Sequence, residues 1–266
     1  MHDGDSVPYT EAGYVVQLRP RATEEHPGMG SPDLTKPPTP TAGDAAHTVV
    51  KAGLAAIPIV GGPAAEIFAA IVVPPLTKRR DEWVRLIAEA LKELQRRVDG
   101  FSVEALAQND VFVTTLLNAS QAAVRTHQEE KLEALRNAVL NAGLPNPPEE
   151  DLQLMFVRFI DELTAWHLRV LKFFDDPRAW GRARGITFPD WISASAAAAL
   201  NHAFPDLEKR GDFGLQLVRD LFARGLMSTE SINVMVTAEG IFASRATAMG
   251  KQFLAFIASP VAMPPG

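Results

Sequence analysis

Six histidines and a scatter of carboxylates are the residues through which this chain could do acid–base or metal chemistry. His2, His26 and His47 lie in or beside a loose N-terminal stretch, and His127, His167 and His202 fall in helical sequence. His127 has Glu130 and Lys131 at helical spacing, and His167 stands beside Trp166 with Asp161 a turn and a half away. These two histidines are the candidates for a polar pair, although a lone helical histidine is ordinarily a hydrogen-bonded residue at the edge of a core. A dinuclear carboxylate site needs Glu-x-x-His from each of two helices, and that set cannot be assembled. Metal binding is therefore not expected. Glu149, Glu150 and Asp151 crowd a helix start, where the dipole accounts for them, and Asp161 and Glu162 belong to a solvated stripe. Ser193 and Ser195 stand in alanine-rich sequence with no adjacent base, so a nucleophilic role has no support.

The remaining catalytic signatures are missing too. There is no phosphate-cradling GxxxxGK[ST], no GxGxxG after a strand, no GxSxG and no HExxH. The glycine pair of IPIVGGP lacks the following Lys and Ser or Thr, and reads as a turn. The chain has no cysteine, which removes disulfides, thiolate metal sites and cysteine nucleophiles together. Lys and Arg number 26 against 32 Asp and Glu, and the net charge of -6 argues against a protein that coats nucleic acid. No enzyme, cofactor or small-molecule substrate is expected.

The elements that must position these groups are mainly helical. Of 266 residues 47% are apolar, with 14 Phe, 2 Tyr and 20 Pro, the composition of helices separated by proline breaks around a core. Residues 1–43 are proline-rich without an apolar period and read as a disordered tail. The acidic start lacks the pattern of a secretory signal, which predicts a cytoplasmic protein, at most peripheral to the inner membrane. Residues 52–76, AGLAAIPIVGGPAAEIFAAIVVPPL, carry one charge, Glu66, over the length of a membrane span. Its prolines favour two short apolar helices joined at IPIVGGP, with a further break at Pro74 and Pro75. Ile57, Ile59, Val60, Ile67, Phe68, Ile71 and Val72 are the contact candidates there for core, partner or bilayer. Lys78, Arg79 and Arg80 at its mouth and Trp83 beyond are further candidates for the membrane or partner contact, and Trp83, Ile87, Leu91, Leu94 and Val98 mark an amphipathic helix ending at Gly100. Ser102 and Asn109 or Asp110 are N-caps, and one long helix is expected from there to Gly143, with Arg125 and Glu129 paired on its wet side. A second is expected from Glu149 to Pro177. The reading is an antiparallel helical bundle with an apolar hairpin over 44–176, then a change of character over 177–266. That last third is expected to hold a helix over 189–204, another over 212–226, an alternating ribbon in SINVMVT and a closing helix.

The segment LVRDLFARGLMSTESINVMVTAEGIFASRATAMGKQFLAFI resembles the second half of a winged helix: a "GL" turn at Gly225 and Leu226, a short ribbon, then Thr247, Gly250, Phe253 and Leu254 in a Thr-x-x-Gly-x-x-hydrophobic helix. The physics agrees, with a positive φ at Gly225, a cap at Thr247 and close packing at Gly250. In such a module Arg219, Arg224 and Arg245 would face phosphate, although acids and bases balance from Asp206 to residue 266. The order of elements from Ala52 to Ile257, with GGPAAE and TAMGKQFL, resembles the bacterial abortive-infection alpha family. That resemblance implies phage defence without an assigned active site. The expectation is a non-enzymatic helical protein acting through protein or membrane contacts, or self-association, in defence or stress. The alternative is a winged-helix DNA-binding regulator.

Overall fold

The computed structural model describes residues 63–260, with side chains from residue 71 onward. Of the expected features, the tail over 1–43 and the first half of the apolar hairpin, including Ile57, Ile59 and Val60, lie outside the described residues. What is described is mainly helical, with one two-stranded antiparallel sheet.

Helix α1 spans Pro63–Arg97, 35 residues or about 52 Å of helix at 1.5 Å per residue. Pro63 opens it, where a missing N–H costs nothing. The expected break at Pro74 and Pro75 does not occur, because the helix runs through both. Each proline leaves one carbonyl of the preceding turn, at Ala70 and Ile71, without its usual N–H partner. Pro74, Pro75 and Ile71 are all exposed, so water can reach this stretch. The second apolar helix and the amphipathic helix are thus one element. Trp83, Ile87, Ala90, Leu91 and Leu94 form its buried stripe, and Gly100, at φ 77°, follows its end.

Ser102 caps the short α2 (Val103–Leu106) by accepting from the Ala105 N–H, and Asn109 caps α3 (Asp110–Arg125) through the Phe112 N–H. The single long helix expected up to Gly143 is in fact two. Thr126 is extended, its hydroxyl accepts the Gln128 N–H at 3.2 Å, and the chain turns back into α4 (Glu129–Ala142). A three-residue connection folds neighbouring helices against each other. Arg125 then meets Asp161 at 2.5 Å and not the expected Glu129. The next expected helix is also divided, into α5 (Glu150–Glu162) and α6 (Ala165–Asp175), at Leu163 and Thr164. Leu163 is buried in the core at this kink, and the ammonium of Lys131 donates to the Asp161 carbonyl left open at the end of α5.

Beyond α6, Asp176 caps the short α7 (Pro177–Arg182). The predicted helix over 189–204 begins late: Ser193–Ser195 is strand β1, and α8 (Ala196–Ala203) follows directly, capped by Ser195. The SINVMVT ribbon does not pair with itself. Only Met235–Thr237 is strand, β2, and it pairs with β1 in the register Ser193 to Thr237, Ala194 to Val236, Ser195 to Met235. Between the strands lie α9 (Pro205–Glu208) and α10 (Phe213–Ala223), and after β2 come α11 (Ala238–Ile241) and α12 (Ala248–Phe256). Each strand is followed at once by a helix capped by its last residue, Ser195 and Thr237.

Gly225 has the expected positive φ, 70°, and Thr247 caps α12 through the Gly250 N–H. Gly250 is needed for close approach: a Cβ there would lie 2.2 Å from the Leu226 carbonyl oxygen. One core runs through the described helices, and residues 63–260 lie within one compact unit. Across the boundary expected between 176 and 177, Phe173 packs on Trp180, Phe188 and Phe204.

Candidate functional site

Four groups of residues compete for this role, and the structure treats them differently. The first is the start of α1. Val72 and Leu76 lie on the same face as Trp83 and Ile87, at spacings of four, seven and four, so the core-facing stripe continues toward the N-terminus. Its covering does not continue equally: Val72, Val73 and Leu76 are half-buried, where Trp83 is 4% exposed. The cause is length. Trp83 Nε1 donates to Ser120 Oγ at 2.9 Å and Arg79 reaches the Val124 carbonyl at 3.5 Å, so α1 runs antiparallel to α3 and passes its end at Arg125. Trp83 is therefore a core residue, and not the surface contact expected of it. Ile71 is 66% exposed on another face, and the side chains of Ile67 and Phe68 lie outside the described residues. Of the three basic residues, Lys78 pairs with Glu82 at 3.8 Å and Arg80 with Asp81 at 3.0 Å. No helix among the described residues is long and apolar enough to cross a membrane.

The second group is the arginine trio. Arg219 is exposed on α10. Arg224 donates to the Asp220 carbonyl at 3.2 Å and approaches Glu162 at 3.5 Å. Arg245 donates to the carbonyls of Gly240, Ile241 and Ala243, and stands over the Phe174 ring. Its guanidinium holds the turn after α11, and its desolvation pushes its pKa down. Two of the three arginines are thus committed to the fold itself.

Third come the histidines. His127 is exposed in the turn between α3 and α4, outside the helix in which it was expected. His167 is 6% exposed, and its partner is Asp220 of α10, at 3.2 Å, in place of the expected Asp161. The Thr164 N–H donates to Nδ1 at 3.1 Å, which leaves the proton on Nε2 to donate to the Asp220 carboxylate. Burial lowers the pKa of His167; the hydrogen bond and charge of Asp220 oppose this, and Arg224 and Lys131 reinforce it. Both ring nitrogens are occupied, so the pair joins α6 to α10 and the imidazole has no lone pair left with which to act as a base. His202 is likewise engaged, donating through Nε2 to the Thr187 carbonyl at 2.9 Å.

The fourth group was not singled out from the sequence. An open recess of about 380 Å³ lies between α7, the loop after it, and α11 with the residue that follows. Phe188, Trp191 and Phe242 form its aromatic wall, with Trp191 and Phe242 6.3 Å apart and 24° from parallel. Arg178 and Arg182, one helical turn apart on α7, stand at it with Asp190, and all three are exposed. Arg178 lies 4.4 Å from the centre of the Phe242 ring. Gly181 lets the wall seat against α7, since a Cβ there would lie 2.6 Å from the Phe188 ring. The signal available in the sequence was the interleaving of arginine and aromatic residues over 178–191, RAWGRARGITFPDW.

No group of three or more metal-ligating side chains occurs among the described residues. No protein-family model, curated protein or solved structure matches the chain.

Proposed function

We propose that this is a non-enzymatic bacterial protein that works by contact, through the start of α1, against a protein partner, a second copy of this chain being the first candidate. The observation that carries the reading is the apolar stripe that outruns its cover: Val72, Val73 and Leu76 continue the face of Trp83 and Ile87 but are only half-buried. Such a face gains by burial against another helix, at roughly 25 cal/mol per Å². Protein is preferred to lipid because Lys78 and Arg80 already have acidic neighbours, where an anionic bilayer would call for uncommitted cations.

The same reading takes α1 to α6 as an antiparallel bundle and residues 177–266 as a winged-helix-like module serving as a scaffold for contacts. The engagement of Arg224 and Arg245 within the fold supports that use over DNA binding. The resemblance to the abortive-infection alpha family supports placing the contact in phage defence or a stress response, on the cytoplasmic side.

Sedimentation equilibrium of the full chain and a Val72→Asp variant tests the contact. The wild type should associate, and the variant should be monomeric with an unchanged circular dichroism spectrum. A monomeric wild type that floats with anionic liposomes, while the variant does not, would replace the protein reading with a membrane one. Phage plating on hosts expressing either form then tests the defence role, which predicts protection by the wild type only.

A further inference from the structure

The recess on α7 sets two exposed arginines and an exposed carboxylate beside aromatic rings that pack on the core, with Arg178 over the Phe242 ring. Arg178 and Arg182 occupy adjacent turns of one exposed helix face, where like charges repel. Asp190 lines the same recess, yet among the described residues no ion pair joins it to either arginine. This contrasts with Arg125, Arg169 and Arg224, which meet Asp161, Glu130 and Glu162. Two guanidinium groups carried one helical turn apart on the same helix present donors suited to an anion with several acceptor oxygens, above all a phosphate. Beside them stand three half-buried aromatic rings, a wall on which a flat ring can stack. The wall is fixed from behind: Phe188 rests on Gly181, and His202 contacts both Phe188 and Trp191 while its Nε2 is tied to Thr187. The volume, about 380 Å³, is at the small end of ligand sites, on the scale of one nucleotide.

We propose that this recess binds a nucleotide, its base stacked on the wall of Phe188, Trp191 and Phe242 and its phosphate held by Arg178 and Arg182. Asp190 supplies an acceptor for the amino or ring N–H edge of the base. The site is independent of the contact surface on α1. The ligand chemistry, a stacked base carrying a phosphate, can come from a free nucleotide or from single-stranded nucleic acid.

Isothermal titration of the full chain with nucleoside monophosphates, the matching nucleosides, inorganic phosphate and short single-stranded oligonucleotides tests the proposal. At least one monophosphate should bind about tenfold or more tightly than its nucleoside and than phosphate alone. Arg178→Ala with Arg182→Ala should weaken that binding by about ten- to a hundredfold, and Trp191→Ala by about tenfold. An oligonucleotide that binds much more tightly than the monomer, with the same sensitivity to Trp191→Ala, assigns the site to a strand; equal affinities assign it to the free nucleotide. These residues are exposed or half-buried, and circular dichroism verifies that each variant is folded. No binding of any probe at millimolar concentration, or binding indifferent to both sets of substitutions, overturns the proposal.

Discussion

His167 with Asp220 and Arg178 with Arg182 are two polar constellations in one molecule, and they are arranged in opposite ways. At His167 every donor and acceptor of the ring is occupied, the ring is buried, and the bonds link α6 to the residue before it and to α10. At the recess the charged groups are exposed, the like charges are one helical turn apart, Arg178 lies over the Phe242 ring, and among the described residues the nearby carboxylate has no ion pair. Proximity of a histidine to a carboxylate thus says little about chemistry until the remaining valences are counted. What is left uncommitted marks a site better than what is already paired.

That contrast can be broken by substitution. The largest effect is expected at His167→Ala, which opens a cavity, leaves the Thr164 N–H without its acceptor and removes the link to Asp220. Chemical denaturation should show a loss of about 3 kcal/mol. Gly181→Val comes next. Its Cβ would meet the Phe188 ring at 2.6 Å, so the aromatic wall must shift, at about 2 kcal/mol in the same measurement, and any ligand of the recess should be lost with it. The pH dependence is smaller. His167 has its pKa lowered by burial, so the unfolded chain takes up the proton first. Its contribution to stability is complete above the unfolded value of about 6.5 and is lost as pH falls through the lower folded value, with a slope of at most about 1.4 kcal/mol per pH unit. Denaturation midpoints between pH 7 and pH 5 should show this fall, and a His167→Gln variant should flatten it. The smallest effect is expected at Arg182→Ala, within about 0.5 kcal/mol of the wild type. A large loss of stability there would show that the recess is structural after all, and the contrast would fail.

Local signals in the chain proved readable. Ser102, Asn109 and Thr247 cap helices as their types suggest, Gly225 has its positive φ, and Gly250 has a carbonyl where its Cβ would be. The stripe of Trp83, Ile87, Leu91 and Leu94 is buried as its spacing requires. The misreadings share a cause, since each depended on a partner far along the chain. Ser193–Ser195 is extended because Met235–Thr237 lies beside it, whereas alanine-rich sequence alone favours helix. The kink at Thr164 is secured by His167, which is in turn held from α10. Pro74 and Pro75 are tolerated because that stretch of α1 is exposed, which no local pattern states. The recess needs residues near 180, 190 and 240 brought together, and only Arg178, Arg182, Phe188 and Trp191 stand close enough in sequence to be noticed as a group.

The amides of Asn137 and Asn141 on α4 reach the last turn of α12, Asn137 donating to the Ile257 carbonyl and Asn141 to those of Phe256 and Ala258. These bonds join residues 115 to 120 positions apart. Synthesis from the N-terminus therefore completes α4 long before the carbonyls that close it exist. Until then a nascent chain carries Asn137 without these acceptors and the apolar side chains beneath α12, among them Phe156, without Phe253 and Phe256 against them.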